Sequence, residues 1–326
     1  MSLLLEEVHS YGIQGRMKVP SKPKCLYFTG AGVFLMWQIG AAKYLKENCN
    51  LDQIEVAGAS AGSLTAAILL SGADFDKAVE VALTQGVEEG VYEKSTGLAG
   101  SLGRLLLQWL NTIIPNDDEE KLSLERLAIA LTPPLKQPYL VTGFSSKAEL
   151  VEACMASCHI PFFIDGKIVT KFRGKAVIDG SFWYFVTKDR FTGLPLPTYC
   201  DPEEIFWVDY GDDEKFMNQI SGSFLSLQTT EAFLQCVESG YNFMKREHYS
   251  GRLPLARNQL PAYYFSSLTK IREMVDQYKP ETIQNSLSVN SLSAAIQETS
   301  KKISDSTDSS IFKWWKSRTD TKSLII

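Results

Sequence analysis

The chain has 326 residues, of which 44% are hydrophobic and 22% charged, and a formal net charge of −5 at pH 7. This composition is that of a globular protein and excludes a fibrous or largely disordered one, while the length suffices for one large domain or two smaller ones. The mildly acidic balance argues against nucleic acid as the main partner, because phosphate binding requires a concentrated basic surface.

Residues 1–23 are predicted to form an N-terminal extension. Their apolar run, Leu3–Leu5, lacks a basic start and meets Glu6 at once, which is not the pattern of a secretory signal. No uninterrupted apolar run in the sequence reaches the ~18 residues that a membrane-spanning helix requires. We therefore expect a cytoplasmic protein that contacts membranes or lipid droplets only peripherally.

Two strand–turn–helix units follow, each with a turn of small residues. Short apolar runs bounded by glycine predict the strands, and helical spacing of apolar residues predicts the helices. Repetition of the unit predicts an α/β fold with a mostly parallel central sheet. The two units comprise strands at Leu26–Phe28 and Ile54–Ala57, turns at Thr29–Gly32 and Gly58–Gly62, and helices at about Met36–Glu47 and Ser63–Leu70.

Further elements are predicted along the remainder of the chain. The acidic run Asp117–Glu120 is interpreted as an exposed loop ahead of a helix that begins near Ser123. Residues 283–326 are Ser-rich and polar, which predicts a partly flexible C-terminal tail. The other predicted elements are helices at Asp74–Glu88, Ser101–Ile114 and Phe224–His248, and strands at Tyr139–Gly143, Ala176–Ile178 and Ile205–Val208.

Six cysteines are scattered along the chain. Only Cys154 and Cys158 are close together, and their spacing differs from the C-x-x-C pattern of zinc sites. We interpret all six as reduced and mostly buried thiols, and we expect neither a metal nor a cofactor.

The segment Gly58-Ala59-Ser60-Ala61-Gly62 stands at the predicted junction of a strand and a helix. A nucleophilic serine needs its hydroxyl exposed on such a sharp turn, and small neighbours permit the strained backbone and the approach of a substrate. The N-terminus of the following helix favours the negative charge of an alkoxide or acyl intermediate. Ser60 is therefore the candidate nucleophile, with a plain glycine-rich turn as the alternative.

Two other turns carry candidate catalytic groups. Backbone N–H groups of Gly30, Ala31 and Gly32 would form an oxyanion hole with Ala61 if they face an open cavity; a tight packing turn is the alternative. Asp179 ends an apolar strand just before a glycine. It would accept the serine proton if it lies within hydrogen-bond reach, although Asp-Gly after a strand is usually a turn signal.

In order and spacing, these motifs resemble those of the patatin-like phospholipases, and in particular the animal-type acylglycerol lipase branch. In that family a glycine-rich loop, a G-x-S-x-G turn and an Asp-Gly pair follow one another, with no catalytic histidine. Ala156–Pro161 resembles the block of small residues and proline that precedes the aspartate. The resemblance covers residues 24 to 186. It implies a three-layer α/β/α fold, a catalytic domain over residues 24–282, a Ser60–Asp179 dyad, a nucleophile elbow with Gly58 and Gly62, and an oxyanion hole from Gly30, Ala31, Gly32 and Ala61.

The resemblance also implies a lipid acyl hydrolase that acts on phospholipids or acylglycerols through an acyl-serine. The same site becomes a transacylase if an alcohol outcompetes water. Where the family loop often carries a further glycine and a basic residue, this chain has Phe34-Leu35-Met36. A second hypothesis is therefore a lipid-binding or regulatory protein of the same fold with little turnover.

Two further patterns point to other functions. Ser60, Asp179 and His248 occur in the chain order of a Ser-Asp-His α/β-hydrolase, but the charged neighbours of His248 are typical of a solvated helix end. His9 lies in the N-terminal extension. Tyr210–Asp213 resembles a metal-binding hairpin of RNA polymerases, but we interpret it as a solvated acidic turn.

Two stretches bear on membrane contact. Leu102–Ile114 has the apolar spacing of a core helix, with a lid or an interfacial helix as the alternative. Ile311–Arg318 combines aromatic and basic residues, as expected at a lipid headgroup boundary, with a poorly ordered terminus as the alternative. We expect peripheral contact with a membrane or lipid-droplet surface.

Overall fold

The computed structural model describes residues 23–90, 101–116, 124–219 and 230–258 of the chain. The strands are β1 (Cys25–Phe28), β2 (Glu55–Gly58), β3 (Leu127–Leu131), β4 (Tyr139–Val141), β5 (Thr170–Phe172), β6 (Lys175–Val177) and β7 (Ile205–Val208). The helices are α1 (Leu35–Asn48), α2 (Ala61–Leu70), α3 (Phe75–Glu88), α4 (Leu102–Ile113), α5 (Lys147–Ser157), α6 (Phe182–Thr187), α7 (Arg190–Gly193), α8 (Glu214–Met217) and α9 (Thr230–Tyr249). Five strands form a central sheet in the order β4-β3-β2-β1-β7, and β5 and β6 form a separate hairpin.

Parallel pairing aligns the ends of the central strands. β1 is parallel to β2 and β7, and β2 is parallel to β3, whereas β4 is antiparallel to β3. Phe28, Gly58 and Val208, the last residues of three parallel strands, are partners in the register. The turns that follow these strands therefore meet at the carboxyl end of the sheet, which is where open α/β folds bind their ligands. The predicted α/β fold with a mostly parallel sheet is confirmed.

Side chains alternate along the strands between two apolar clusters. Leu26, Phe28 and Val56 belong to the larger cluster, together with buried residues of α1, α2 and α9. Tyr27 and Trp207 belong to the smaller cluster, and their rings stack with centroids 4.8 Å apart. Residues that follow β6 in the chain, such as Leu194 after α7, pack into the smaller cluster. Both sets of strand side chains are thus buried against other parts of the chain.

Helices α1 and α9 cross with their backbones in contact. A Cβ atom on Gly40 would lie 1.9 Å from the carbonyl oxygen of Val237, and one on Gly240 would lie 1.8 Å from that of Trp37. Because backbone atoms occupy these positions, a larger residue at either glycine would force the helices apart. The close crossing buries the Trp37 side chain completely.

The prediction of a helix near Ser123 is wrong. Leu124–Arg126 forms a 3₁₀ turn, and Leu127–Leu131 is strand β3, which is buried at every position. A short apolar run buried on both sides has no alternation, so its periodicity cannot distinguish a strand from a helix. Arg126 fixes the start of this strand by donating to the carbonyl oxygens of Leu51 and Ile54, at 2.5 and 2.6 Å.

The strand predicted at Ala176–Ile178 forms outside the central sheet. It corresponds to β6 in the antiparallel β5–β6 hairpin, and an isolated bridge joins Ile178 to Thr132 at the end of β3. This bridge brings the residue after Ile178, Asp179, to the carboxyl end of the sheet. The location of the predicted catalytic aspartate thus depends on the hairpin and not on a sixth sheet strand.

All six cysteines are free thiols, and five of them are buried, as predicted. No helix in the described part of the chain is long and apolar enough to cross a membrane. Four predicted segments lie outside the described residues: residues 1–22 of the N-terminal extension, Asp117–Glu120, the start of the helix predicted at Phe224, and the C-terminal tail. The domain boundaries therefore remain predictions.

Candidate active site

Ser60 occupies a strained turn between β2 and α2. Its backbone has φ 53° and ψ −127°, a region that residues with a side chain rarely adopt. The turn closes tightly, because a Cβ atom on Gly58 would lie 2.2 Å from the carbonyl oxygen of Gly62. One on Gly62 would lie 2.1 Å from the carbonyl oxygen of Phe28. The two glycines of the motif are therefore required by backbone contacts on both sides of Ser60.

The Ser60 hydroxyl contacts the carboxylate of Asp179 directly. Ser60 Oγ donates a hydrogen bond to Asp179 Oδ2 at 2.7 Å. Both side chains are buried, with exposed fractions of 4% and 2%. The other carboxylate oxygen, Oδ1, accepts hydrogen bonds from the backbone N–H and the hydroxyl of Ser181, at 2.8 and 2.7 Å. The structure thus brings together two residues that the sequence separates by 119 positions.

Burial changes the proton affinity of this carboxylate. Desolvation raises the pKa of Asp179 to about 6, although the hydrogen bonds from Ser60 and Ser181 act in the opposite direction. An aspartate with this pKa is ionised at neutral pH, yet it holds a proton more tightly than an exposed carboxylate. Asp179 therefore has the geometry and the basicity of a general base for Ser60.

Ser157 supports the turn that carries Ser60. Its Oγ accepts a hydrogen bond from the backbone N–H of Ser60 at 2.9 Å and donates one to the carbonyl oxygen of Ala130 at 2.8 Å. The backbone N–H of Gly180 donates to the carbonyl oxygen of Ser157 at 2.9 Å. The small residues and proline around Ser157 mark this block in the sequence, but no pattern there indicates a role for the Ser157 side chain. Through its hydroxyl and its backbone carbonyl, Ser157 links β3, the serine turn and the aspartate turn.

Candidate oxyanion donors lie beside Ser60. Gly32, with φ 55°, and Ala61, the first residue of α2, both line a cavity together with Ser60. No hydrogen bond among the described residues uses the backbone N–H of either one. Gly30 and Ala31, the other two predicted donors, do not line this cavity. The structure therefore brings two of the four predicted donors to the nucleophile.

The cavity at Ser60 has a volume of about 170 Å³ and a mostly apolar wall. Its lining includes Ser60, Leu35, Met36, Ile160 and Phe163, together with residues of α3 and α4. An engineered cavity of about 150 Å³ with an apolar lining takes up benzene, so this volume suits a short apolar group. The site therefore combines the candidate nucleophile with room for part of a hydrocarbon chain.

Helix α4 contributes both to the core and to this cavity. Leu105, Trp109, Leu110 and Ile113 are buried, and Trp109 Nε1 donates to the carbonyl oxygen of Ala78 at 2.7 Å. The prediction that this segment is a core helix is confirmed. Because Leu105 and Trp109 also line the cavity, the packing of α4 against α3 defines one wall of the site.

Residues 26–186, the part of the chain that holds this site, match the family model described as Patatin-like phospholipase. This part of the chain is a patatin-like phospholipase domain. The matched range includes the glycine loop, Ser60 and Asp179, and it agrees with the resemblance seen in the sequence.

Three curated relatives are similar to about half of this chain. Omega-hydroxyceramide transacylase of Homo sapiens is 30% identical over 174 residues, which cover 50% of this chain and 31% of that protein. 1-acylglycerol-3-phosphate O-acyltransferase PNPLA3 of Homo sapiens is 32% identical, with coverages of 48% and 33%. Patatin-like phospholipase domain-containing protein 2 of Bos taurus is 31% identical, with coverages of 47% and 32%. The alignments thus span about a third of the length of these relatives.

The hydrogen bonds of His248 involve neither Ser60 nor Asp179. Its Nδ1 lies 2.9 Å from the hydroxyl of Tyr44, and its Nε2 lies 3.0 Å from the carbonyl oxygen of Leu255. The side chain is buried, with an exposed fraction of 8%. The interpretation of this region as a solvated helix end is therefore wrong for His248, because contacts with α1 cover it. Since both ring nitrogens have other partners, the geometry does not support a Ser-Asp-His triad.

Replacing His248 with alanine is expected to leave the activity of the folded protein within about threefold of wild type. Loss of the buried ring removes its contacts with Tyr44 and Leu255, so the free energy of unfolding should fall by about 1–3 kcal/mol. Turnover and chemical denaturation of the same preparation test both expectations. A loss of activity of a hundredfold or more in folded protein would instead support a triad.

Tyr210–Asp213 is the turn that follows β7, and in it Tyr210 and Asp213 are buried while Asp212 is exposed. Asp213 is 2% exposed and accepts hydrogen bonds from Trp37 Nε1 at 3.1 Å and from Arg246 at 2.7 Å. Asp212 binds Arg190 at 2.7 Å. The prediction of a solvated acidic turn is therefore wrong for Asp213. Its carboxylate joins the turn after β7 to helices α1 and α9.

Proposed function

We propose that this protein hydrolyses carboxylic ester bonds of phospholipids or acylglycerols through the Ser60–Asp179 dyad. The observation that carries the proposal is the 2.7 Å hydrogen bond from Ser60 Oγ to Asp179 Oδ2. It forms on a strained strand-to-helix turn whose serine lines an apolar cavity. A buried carboxylate, a serine and an apolar cavity together suit an ester of a hydrocarbon acid.

The reaction begins with attack of Ser60 Oγ on the ester carbonyl carbon, while its proton moves to Asp179 Oδ2. The oxygen of the tetrahedral intermediate accepts hydrogen bonds from the backbone N–H group of Gly32, in the loop after β1, and from that of Ala61, the first residue of α2. Asp179 returns the proton to the departing alcohol, which leaves an acyl-serine. Water attacks this ester and loses a proton to Asp179, which passes that proton to the departing Ser60 Oγ as the fatty acid is released.

The cavity suggests how the substrate is oriented. Its apolar wall, with Leu35, Met36 and Leu105 close to Ser60, accommodates the acyl chain next to the carbonyl group. The polar head group then extends away from this wall. Access to lipids in an aggregate requires peripheral contact with a membrane or droplet surface. We therefore also propose a cytoplasmic protein that makes such contact.

Transacylation is the second candidate function. Two of the relatives to which the chain is similar are named as a transacylase and an acyltransferase. The same acyl-serine would transfer its acyl group to an alcohol or a lysolipid in place of water. The balance between the two outcomes then depends on which acceptor reaches the acyl-serine first, with Ser60 and Asp179 in the same roles.

Product analysis by mass spectrometry tests the proposal. Wild type and the Ser60→Ala variant are incubated with mixed triacylglycerol and phospholipid emulsions, with and without an added long-chain alcohol. The proposal predicts free fatty acid from wild type only, and a new ester with the alcohol would assign transacylation. If wild type and variant give the same products, the proposal that the protein is an enzyme fails. The hypothesis of a lipid-binding or regulatory protein with little turnover then takes its place.

A further inference from the structure

Ser181 stands two residues after Asp179, at the start of helix α6. Ser181 is completely buried, and it is the N-cap residue of this helix. Serine is favoured at this position because its oxygen accepts a hydrogen bond from a backbone N–H of the first turn. Here the hydroxyl makes no such capping bond. It donates instead to Asp179 Oδ1 at 2.7 Å.

The two carboxylate oxygens of Asp179 consequently have different surroundings. Oδ1 accepts two hydrogen bonds from Ser181, one from the backbone and one from the hydroxyl. Oδ2 accepts the hydrogen bond of Ser60. Two bonds to one oxygen fix the plane of the carboxylate, so the second oxygen cannot rotate away from the nucleophile without breaking both.

The same hydroxyl contacts the glycine loop. A Cβ atom on Gly30 would lie 2.3 Å from Ser181 Oγ and 2.9 Å from the ring of Phe185. Gly30 therefore leaves the space that Ser181 fills, and it stands two residues before Gly32, which lines the cavity. Through Ser181, the aspartate and the loop of candidate oxyanion donors pack against one another.

We propose that Ser181 is a positioning residue for the reaction: its hydroxyl orients Asp179 so that Oδ2 faces Ser60, and it holds the glycine loop against the carboxylate. The inference rests on the proposed function. In this role the Ser181 hydroxyl is required for the reaction, whereas a residue that only fills space would need no hydroxyl.

Two substitutions separate the hydroxyl from its volume. Ser181→Ala removes the donor and leaves a small void, while Ser181→Cys fills the space with a much weaker donor. Both keep the backbone N–H bond to Oδ1. Ser71→Ala is the matched control, because Ser71 is also buried and its hydroxyl bonds the carbonyl oxygen of Ile68, outside the site.

The readout is the rate at which a fluorophosphonate labels Ser60 between pH 4 and pH 9. This rate should fall at low pH as Asp179 is protonated, since burial places its pKa at about 6. Loss of the hydroxyl removes a bond that favours the ionised carboxylate, so the acidic limb should move to higher pH by about one unit in both variants. The rate should fall about tenfold at pH 5 and about twofold at pH 7, and the Ser71→Ala profile should match wild type.

Two results would overturn the inference. If the acidic limb of Ser181→Cys coincides with that of wild type, the hydroxyl has no role beyond its volume, and the proposed function is unaffected. If wild type itself is not labelled while a known serine hydrolase is, the proposed function fails and the inference fails with it. Circular dichroism verifies that the variants are folded, and Ser181→Cys decides the question if Ser181→Ala does not fold.

Discussion

Asp179→Asn should lower kcat by about 10³-fold and, at pH 7, make the protein more stable. The amide keeps the shape of the carboxylate, and its oxygen can still accept the two hydrogen bonds from Ser181. It cannot accept a proton from Ser60. Activity is therefore lost because the base is removed, while the fold is retained.

The gain in stability follows from the pKa of the buried carboxylate. Burial raises the pKa of Asp179 from 3.8 to about 6 in the folded protein. The native state therefore binds more protons than the unfolded state between these two values, so this group makes wild type less stable as the pH rises through them. Above pH 6 the ionised group costs about 3 kcal/mol, and below pH 4 it costs almost nothing.

Urea denaturation of wild type and Asp179→Asn at pH 4, 5, 6 and 7 measures this effect. The difference in free energy of unfolding should grow with pH and level off near pH 7. Comparison of the two proteins cancels the other groups that titrate in this range. A variant that is less stable than wild type at pH 7 would show that the ionised carboxylate stabilises the fold, contrary to this account.

Gly62→Ala should destabilise the protein by about 3 kcal/mol or prevent it from folding. The added Cβ would lie 2.1 Å from the carbonyl oxygen of Phe28 and 2.5 Å from that of Thr29. Both are backbone atoms at the end of β1, and they cannot move without displacing the strand or the glycine loop. The Ser60 turn and this loop are thus packed backbone to backbone.

Gly30→Ala is the matched comparison for this prediction. Its Cβ would meet the side chains of Ser181 and Phe185, at 2.3 and 2.9 Å. Side chains can shift, so we expect a smaller loss of stability, of about 1–2 kcal/mol, together with reduced activity. Thermal and urea denaturation of both variants give the order. Equal losses of stability in the two variants would mean that the backbone at the end of β1 shifts as easily as the side chains of Ser181 and Phe185.

The central residues of the site could be predicted because their motifs report local geometry. Glycines on both sides of Ser60 indicate a sharp turn, and a carboxylate before a glycine at the end of an apolar run indicates a turn after a strand. Ser157 and Ser181 were missed as functional residues for the opposite reason. The bond between Ser157 and Ser60 spans 97 positions, and serine at a helix start normally predicts a cap.

Tertiary contacts also explain the wrong predictions. His248 stands among charged residues in the sequence, but its ring contacts Tyr44, 204 positions earlier, across the crossing of α1 and α9. Asp213 is buried by Trp37 and Arg246 in the same way. Strand β3 was mistaken for a helix since burial on both faces removes the alternation that identifies a strand. In each case the deciding neighbour lies far away in the chain.

Labelling with a fluorophosphonate, followed by peptide mass spectrometry to locate the adduct, determines whether Ser60 is a nucleophile activated by Asp179. One adduct per chain, located on Ser60 and absent from Asp179→Asn at neutral pH, is the expected result. Absence of an adduct in folded wild type under conditions that label a known serine hydrolase, or an adduct on another residue, would contradict the claim.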